Sequence, residues 1–394
     1  MTPAATIDGE AVLARIPALP GGPQLLAAAA SSPIPVFLVG GAVRDIALGT
    51  VPRELDVAID GDPDAFVSAL GGAATVHDRF GTACIDLADG AQVDVARTRT
   101  ETYAAPGALP DVAPAQIDAD LRRRDATVNA IAVDLRNGSL HAAPGALDDL
   151  ASATLRVLHD RSFVDDPTRL WRFARYAARL RFAIDDHTRA LAAAADPSTV
   201  SGPRLGAELR LALTEPDPVA ALHAARDLNA RLLPPGFEPS DGAAALALLH
   251  GEGRADLVVL AASVRGVDLA ALLGWLDDLA FTADDRDLVA AASRPSTGAP
   301  LHAARTPSQI ARAARGAPAE AVALAGGDNA RRWLDELRHV RLHIDGHDLL
   351  AAGIAEGPEI GARLQHALDR VLDGEIANEH DAELAAALEG VGDG

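Results

Sequence analysis

The sequence has almost no cysteine: Cys84 is the single one in 394 residues. That excludes an intrachain disulfide framework and any zinc site built on several cysteines. Lysine is absent altogether, so all 35 basic residues are arginine. Aromatic residues make up 3% of the chain, and alanine and leucine take their place, which favours helix. Long apolar runs are missing too. The longest, such as residues 257–264, fall far short of the roughly 20 residues a membrane span requires. The first residues, MTPAATIDGE, carry no basic stretch followed by an apolar core, so no secretory leader is expected. No repeat of fixed period is visible. A soluble, cytoplasmic chain without membrane contact is the expectation.

What is present is an ordinary globular content, 49% hydrophobic, which argues against disorder. At roughly 100–200 residues per domain, the length allows two to four domains. The net charge of −21 argues against indiscriminate nucleic-acid binding, because phosphate neutralisation needs local positive charge. One window runs against this trend. Residues 121–181 hold eleven arginines and seven acidic residues, a local +4 where the remainder carries −25. Taken alone, such a run is most simply a solvated, salt-bridged helix face.

The first 150 residues mix helix and strand. Residues 36–39 form an apolar run ending in Gly40-Gly41, followed by a helical stretch over 42–48 that Gly49 stops. Residues 55–59 are expected as a strand, and 83–87 with 92–95 as a hairpin around Ala88-Asp89-Gly90. A further strand pair is expected from 128–135 and the segment around Leu140, across Arg136-Asn137-Gly138. Beyond Asp149 almost every periodic segment reads as helix, broken by proline and glycine.

Three features of this region bear on chemistry. In FLVGGAVRD (37–45) a strand runs into Gly40-Gly41 and then a helix. Glycines there let backbone N–H groups approach a phosphate, and Arg44 in the first turn can reach triphosphate oxygens with forked hydrogen bonds. In ELD (54–56), Glu54 and Asp56 project from the same strand face. Two such carboxylates repel unless a cation lies between them, and oxygen ligands suit Mg²⁺. Asp94 adds a third if its strand lies alongside, the set that two-metal phosphoryl transfer uses. The third feature pairs DLRRRDATVNAIA (120–132) with DDPTRLWRFARYAARLRF (165–182). On a helix, Arg169, Arg172, Arg175, Tyr176 and Arg179 share one side, and Leu170, Phe173, Ala177 and Leu180 the other. Asp166 and Arg169, three residues apart, can sit together as acceptor and donors for a base edge, or simply as an intrahelical ion pair.

These segments, with VDVARTRTETY (93–103), occur in the order and spacing of the class II tRNA nucleotidyltransferases, the CCA-adding enzymes, whose motifs bacterial poly(A) polymerases share. The sequence resembles that family most specifically over residues 36–182, and IDGHDLLAAG (344–353) resembles its tail. The resemblance implies an α+β fold: a nucleotidyltransferase head with a mixed β-sheet flanked by helices over 1–150, then an all-α neck (151–215), body (216–330) and tail (331–394). It implies that Gly40, Gly41 and Arg44 hold the triphosphate with Asp45 bracing the loop, and that Glu54, Asp56 and Asp94 hold Mg²⁺. Arg123, Arg124, Asp125 and Asn129 match the motif around sugar and phosphate. Asp166 and Arg169 match the pair that reads the base edges of CTP and ATP, and Arg172 and Arg175 line the neighbouring surface. The body and tail would grip the acceptor and TΨC arms of tRNA. The implied activity is addition of C and A to the tRNA 3′ end with release of pyrophosphate. The alternatives are a poly(A) polymerase, a CC-adding or A-adding specialist, and a tRNA-binding protein with impaired catalysis. Three positions depart from the family pattern: Glu54 for Asp, Ala126 for Phe and Asp165 for Glu.

Other chemistries find less. The His-Asp pairs at 77–78, 159–160 and 380–381 invite a phosphohydrolase reading, but the C-terminal half lacks the ordered His and Asp set such a metal centre needs. Ser201 and the other serines have no Gly-x-Ser-x-Gly setting.

Overall fold

Val36–Val39, buried at all four residues, forms strand β1 at the interior of a sheet, which is why this run is continuously apolar instead of alternating. In this computed structural model, which describes residues 7–77, 82–294 and 298–389, the following strands are β2 (Leu55–Ile59), β3 (Ala73–His77), β4 (Thr82–Asp86) and β5 (Gln92–Arg97). They continue with β6 (Arg99–Thr102), β7 (Asp111–Pro114), β8 (Ile131–Asp134) and β9 (Leu140–Ala142). Seven of them make one sheet in the order β3-β4-β5-β2-β1-β8-β9, while β6 and β7 pair apart. Within the sheet β2 and β5 are parallel and the other neighbours antiparallel, so the sheet is mixed, as expected. The helix Ile117–Arg122 covers one face, packing Ile117 and Leu121 against Phe37, Val39, Ala58 and Ala132.

The expected first turn is present. Gly40 has φ +67°, a conformation that favours glycine, and leads into the helix Gly41–Ala47. That helix ends where Gly49, at φ +81°, donates to the Ile46 carbonyl and Thr50 donates to that of Asp45, the paired bonds of a glycine-terminated helix. The hairpin of β4 and β5 also forms as expected.

Elsewhere the structure differs from the pattern. The strand expected from 128 starts at Ile131, because Thr127–Asn129 folds into a 3₁₀ turn closed by the Ala130 N–H on the Thr127 carbonyl at 2.8 Å. Glu54 lies in a bend just before β2, whose pairing with β5 begins at Leu55 opposite Val93. Strand β7 contains Pro114 and is largely exposed, so it shows no alternation to read. A two-residue parallel pair, β10 (Thr154–Leu155) and β11 (Ala183–Ile184), is too short to give a period.

The chain divides into two units, Met1–Leu233 and Pro234–Gly394. The expected divisions at 150 and 215 fall inside the first unit, and the one at 330 inside the second. In the first unit the helix Arg169–Leu180 packs against the helices Gly202–Leu213 and Pro218–Leu228. The described part of the second unit is helical, with one core around Val258, Leu301 and Leu334 and another around Leu349, Ala367 and Ala387. No helix among the described residues is long and apolar enough to cross a membrane.

Candidate active site

The sheet brings three carboxylates together. Parallel pairing sets Asp56 of β2 directly beside Asp94 of β5, and the bend before β2 adds Glu54. One oxygen from each lies within 4.8 Å of the others. Burial, reinforced by the charges of Glu54 and Asp94 and opposed by Arg124 and Arg172, pushes the Asp56 pKa up to about 7. Such a group of hard oxygens, one of them held from full ionisation by its neighbours, fits a divalent cation, whose charge relieves that repulsion. Cys84 of β4 sits opposite Asp94. Burial and the Asp94 carboxylate raise its thiol pKa to about 11, so at neutral pH it is a thiol and not a nucleophile.

The glycine turn after β1 faces an arginine. A Cβ on Gly40 would lie 2.7 Å from Arg124 Nη1, so a side chain there would meet the guanidinium as well as the positive φ. Arg44, expected to point at a ligand, is itself enclosed: its side chain is 3% exposed, ion-paired to Asp45 at 2.7 Å and donating to Asn129 Oδ1 at 2.5 Å. Asn129 in turn donates to Asp125 at 3.1 Å.

Asp125 is the hub of this wall. Its oxygens accept from the Ala126 N–H at 2.8 Å, Arg172 Nε at 2.6 Å and the Tyr176 hydroxyl at 2.7 Å. Burial alone would raise its pKa, but Arg172 and these hydrogen bonds hold it well below the usual carboxylate range. The Arg44 and Arg172 guanidiniums each lie over the Tyr176 ring, 5.8 Å from its centre. Arg123 pairs with Asp120 and Glu101, both at 2.7 Å, and Arg124 reaches Asp120 at 3.1 Å. Ala126 is fully buried and bridges to Val157.

The arginine-rich helix Arg169–Leu180 is not a solvated face. Leu170 and Phe173 are buried as expected, but so are Trp171 and, on the arginine side, Arg169 and Tyr176. Arg175 pairs with Glu208 at 2.7 Å and Glu215 at 3.0 Å, and Arg179 also pairs with Glu215. The expected Asp166–Arg169 side-chain pair does not form. Asp166 has extended backbone and turns its carboxylate onto Thr168 and Arg204, while Arg169 donates to Ser162 Oγ and the Arg123 carbonyl. The two side chains nevertheless border one cavity.

That cavity has a volume of about 540 Å³, within the range of small-molecule sites. Gly40, Gly41, Arg44, Glu54, Asp56, Arg123, Arg124, Asp125, Asn129, Asp166, Arg169, Arg172 and Arg175 all line it. Eight arginines face six carboxylates across its wall, so its balance favours an anion. Asp94 lines an adjoining hollow of about 510 Å³ that shares Asp56, Arg123, Arg124 and Arg172 with the first. Residues the motifs left out are Arg99, Glu101, Tyr103, Thr168 and Glu208, all on the wall. Glu101 and Tyr103 stood within a recognised segment, whereas Glu208 sits in a helical stretch with nothing local to mark it. Of the His-Asp pairs, Asp78 lies outside the described residues. The Glu54, Asp56 and Asp94 cluster is the one group with metal-ligand spacing among the described residues.

The Poly A polymerase head domain family matches residues 36–156. The chain is 42% identical over 200 residues to the A-adding tRNA nucleotidyltransferase of Geobacter sulfurreducens, covering 48% of this chain and 23% of that protein. It is 37% identical over 243 residues to the CC-adding tRNA nucleotidyltransferase of Deinococcus radiodurans, covering 59% of this chain and 64% of that protein. The matched stretches thus span less than two thirds of either relative. An apo form of a CCA-adding enzyme superposes with TM-score 0.79 at 27% identity, over 97% of this chain and 98% of that one. The Thermotoga maritima CCA-adding enzyme in complex with tRNA gives 0.72 at 26% identity over the same shares.

Proposed function

The chain belongs to the class II tRNA nucleotidyltransferase and poly(A) polymerase family, and from that premise we propose that it adds C and A residues to the 3′ end of tRNA from CTP and ATP. The observation that carries this reading is the juxtaposition of three carboxylates with an arginine-lined cavity of about 540 Å³ in a single unit. The substrates are those seen with solved structural relatives, which include complexes with tRNA, ATP and CTP.

In this reading Gly40 and Gly41 let the triphosphate approach the backbone, and Arg44, enclosed by Asp45 and Asn129, holds the turn and lends its charge beneath the phosphates. Arg123, Arg124, Asp125 and Asn129 form the wall around sugar and phosphate. Asp166 and Arg169 meet the base edge, with Arg172 and Arg175 beside them. The two hollows share Asp56, so in this reading the nucleotide takes the first and the attacking RNA end enters beside it at the carboxylates. The 3′-hydroxyl oxygen forms a bond to the α-phosphorus as the bond to the pyrophosphate oxygen breaks, and the hydroxyl proton passes to solvent water. Glu54, Asp56 and Asp94 would hold Mg²⁺, which when bound acidifies the hydroxyl and neutralises the leaving group. The body and tail would hold the acceptor and TΨC arms.

The test is to supply purified protein with Mg²⁺, CTP and ATP, and with tRNA transcripts ending at the discriminator base, at C or at CC. We expect products that stop at CCA. Extension of one acceptor class alone would make the protein a CC- or A-adding specialist, long A tails would make it a poly(A) polymerase, and no incorporation on any acceptor would leave a tRNA-binding protein.

A further inference from the structure

Asp166 is held by a residue far from it in sequence. Arg204, near the start of the helix Gly202–Leu213, donates through Nη2 to Asp166 Oδ1 at 2.9 Å and through Nη1 to the Gly107 carbonyl at 2.8 Å. The same Oδ1 accepts from the Thr168 N–H at 3.1 Å and the Thr168 hydroxyl at 2.7 Å. Three donors therefore converge on one oxygen, and Oδ2 has no hydrogen-bond partner among the described residues. The Gly107 end is equally fixed. Gly107 has φ +69°, a Cβ there would lie 2.4 Å from the Thr199 carbonyl oxygen, and its N–H donates to the Val164 carbonyl at 3.2 Å.

We infer that Arg204 is a positioning residue for nucleotide selection, which by occupying Asp166 Oδ1 leaves Oδ2 as the acceptor presented to the base edge. This rests on the reading of Asp166 given above. A carboxylate free to rotate presents either oxygen over a range of directions, and hydrogen-bonded discrimination depends on a fixed acceptor. The fork of arginine suits the role because one guanidinium bridges the carboxylate and the Gly107 carbonyl at once. A lysine has a single ammonium point and cannot hold both in that fixed geometry.

The experiment measures kcat/KM separately for CTP, ATP, UTP and GTP, using Mg²⁺ and the transcript that the wild-type chain extends. The set is wild type, Arg204→Gln, Arg204→Lys, Asp166→Ala and the Arg204→Gln/Asp166→Ala pair, with thermal unfolding of each. Arg204→Gln should lower the preference for the correct over the wrong nucleotide about tenfold, and Arg204→Lys should fall between it and wild type. In the Asp166→Ala background Arg204→Gln should change the preference no further, because both act through one carboxylate. An equal fall for all four nucleotides, or the same further loss of preference with and without Asp166, would overturn the inference while leaving the nucleotidyltransferase reading intact. A wild-type chain that incorporates nothing would overturn both.

Discussion

The carboxylate cluster at the end of β2 and the arginines of the helix Arg169–Leu180 meet at the same cavity but are held in opposite electrostatic states. Glu54, Asp56 and Asp94 crowd together, and burial with their mutual repulsion outweighs Arg124 and Arg172 and pushes Asp56 up to about 7. Across from them, Arg172 is paired with Asp125, Arg175 with Glu208 and Glu215, and Arg179 with Glu215. On one wall the nearby charges of Arg124 and Arg172 do not offset burial and carboxylate repulsion, while on the other each arginine has a carboxylate partner. Under the proposed function this asymmetry serves both ligands: the carboxylates favour a cation, while the paired arginines present donors to a polyanion without first having to be ordered.

The contrast is broken most severely at Asp56. In Asp56→Ala, nucleotide incorporation should fall on the order of 10³-fold or more while tRNA affinity in a filter-binding assay stays close to wild type. Appreciable residual turnover would count against its ligand role. On the other wall, Asp125→Ala strands the Arg172 charge and the Tyr176 hydroxyl. Urea unfolding should show a loss of about 3 kcal/mol, the low end for a broken buried pair because Arg172 is partly exposed. The Asp56→Ala chain should show no such loss, since removing a repelled charge relieves strain. Asp166→Ala lies outside both networks and should reduce selection among the four nucleotides about tenfold or more, with turnover of the correct one less affected. Unchanged selection would remove it from base reading.

The smallest effect is in pH. With a folded pKa of about 7 against an ordinary 3.8, the folded chain holds more protons than the unfolded one between those values. Metal-free stability therefore falls as pH rises from about 4 to 7 and then levels. Divalent-cation binding competes with the same proton, so affinity measured by calorimetry should be about tenfold tighter at pH 8 than at pH 6. Asp56→Asn should flatten both profiles, and a wild-type affinity independent of pH would show that Asp56 is not titrating there.

Local signals made the carboxylate wall legible and left the partners of the arginine wall dark. Gly40-Gly41, the run 55–59 and the hairpin around Asp89-Gly90 each announce themselves through turn chemistry within a few residues, and the structure places the carboxylates together as their motifs imply. The arginines were equally visible, but their partners were not. Glu215 lies 40 residues beyond Arg175 and 162 beyond Arg53, which also reaches it, and no local pattern marks a carboxylate that will be buried under three guanidiniums. The spacing of Asp166 and Arg169 suggested a pair. Its absence has a tertiary cause, since Arg204 and Thr168 claim the acid, and Ser162 with the Arg123 carbonyl claims the base. Strands such as β7, exposed and ending in Pro114, carry no periodicity because neither face is fully covered.

The scarcity of aromatic residues has a practical side at this site. The chain contains two tyrosines, Tyr103 and Tyr176, and both border the cavity. Tyr103 donates to Glu101 at 3.0 Å and Tyr176 to Asp125 at 2.7 Å. Burial, together with those carboxylates, raises Tyr103 to about 12 and Tyr176 further, so both rings stay protonated throughout the working range. A chain grown with fluorinated tyrosine would therefore give two resonances, both from the wall of this cavity. Neither would be moved by ionisation, so the native protein reports occupancy of its own site without a single engineered residue.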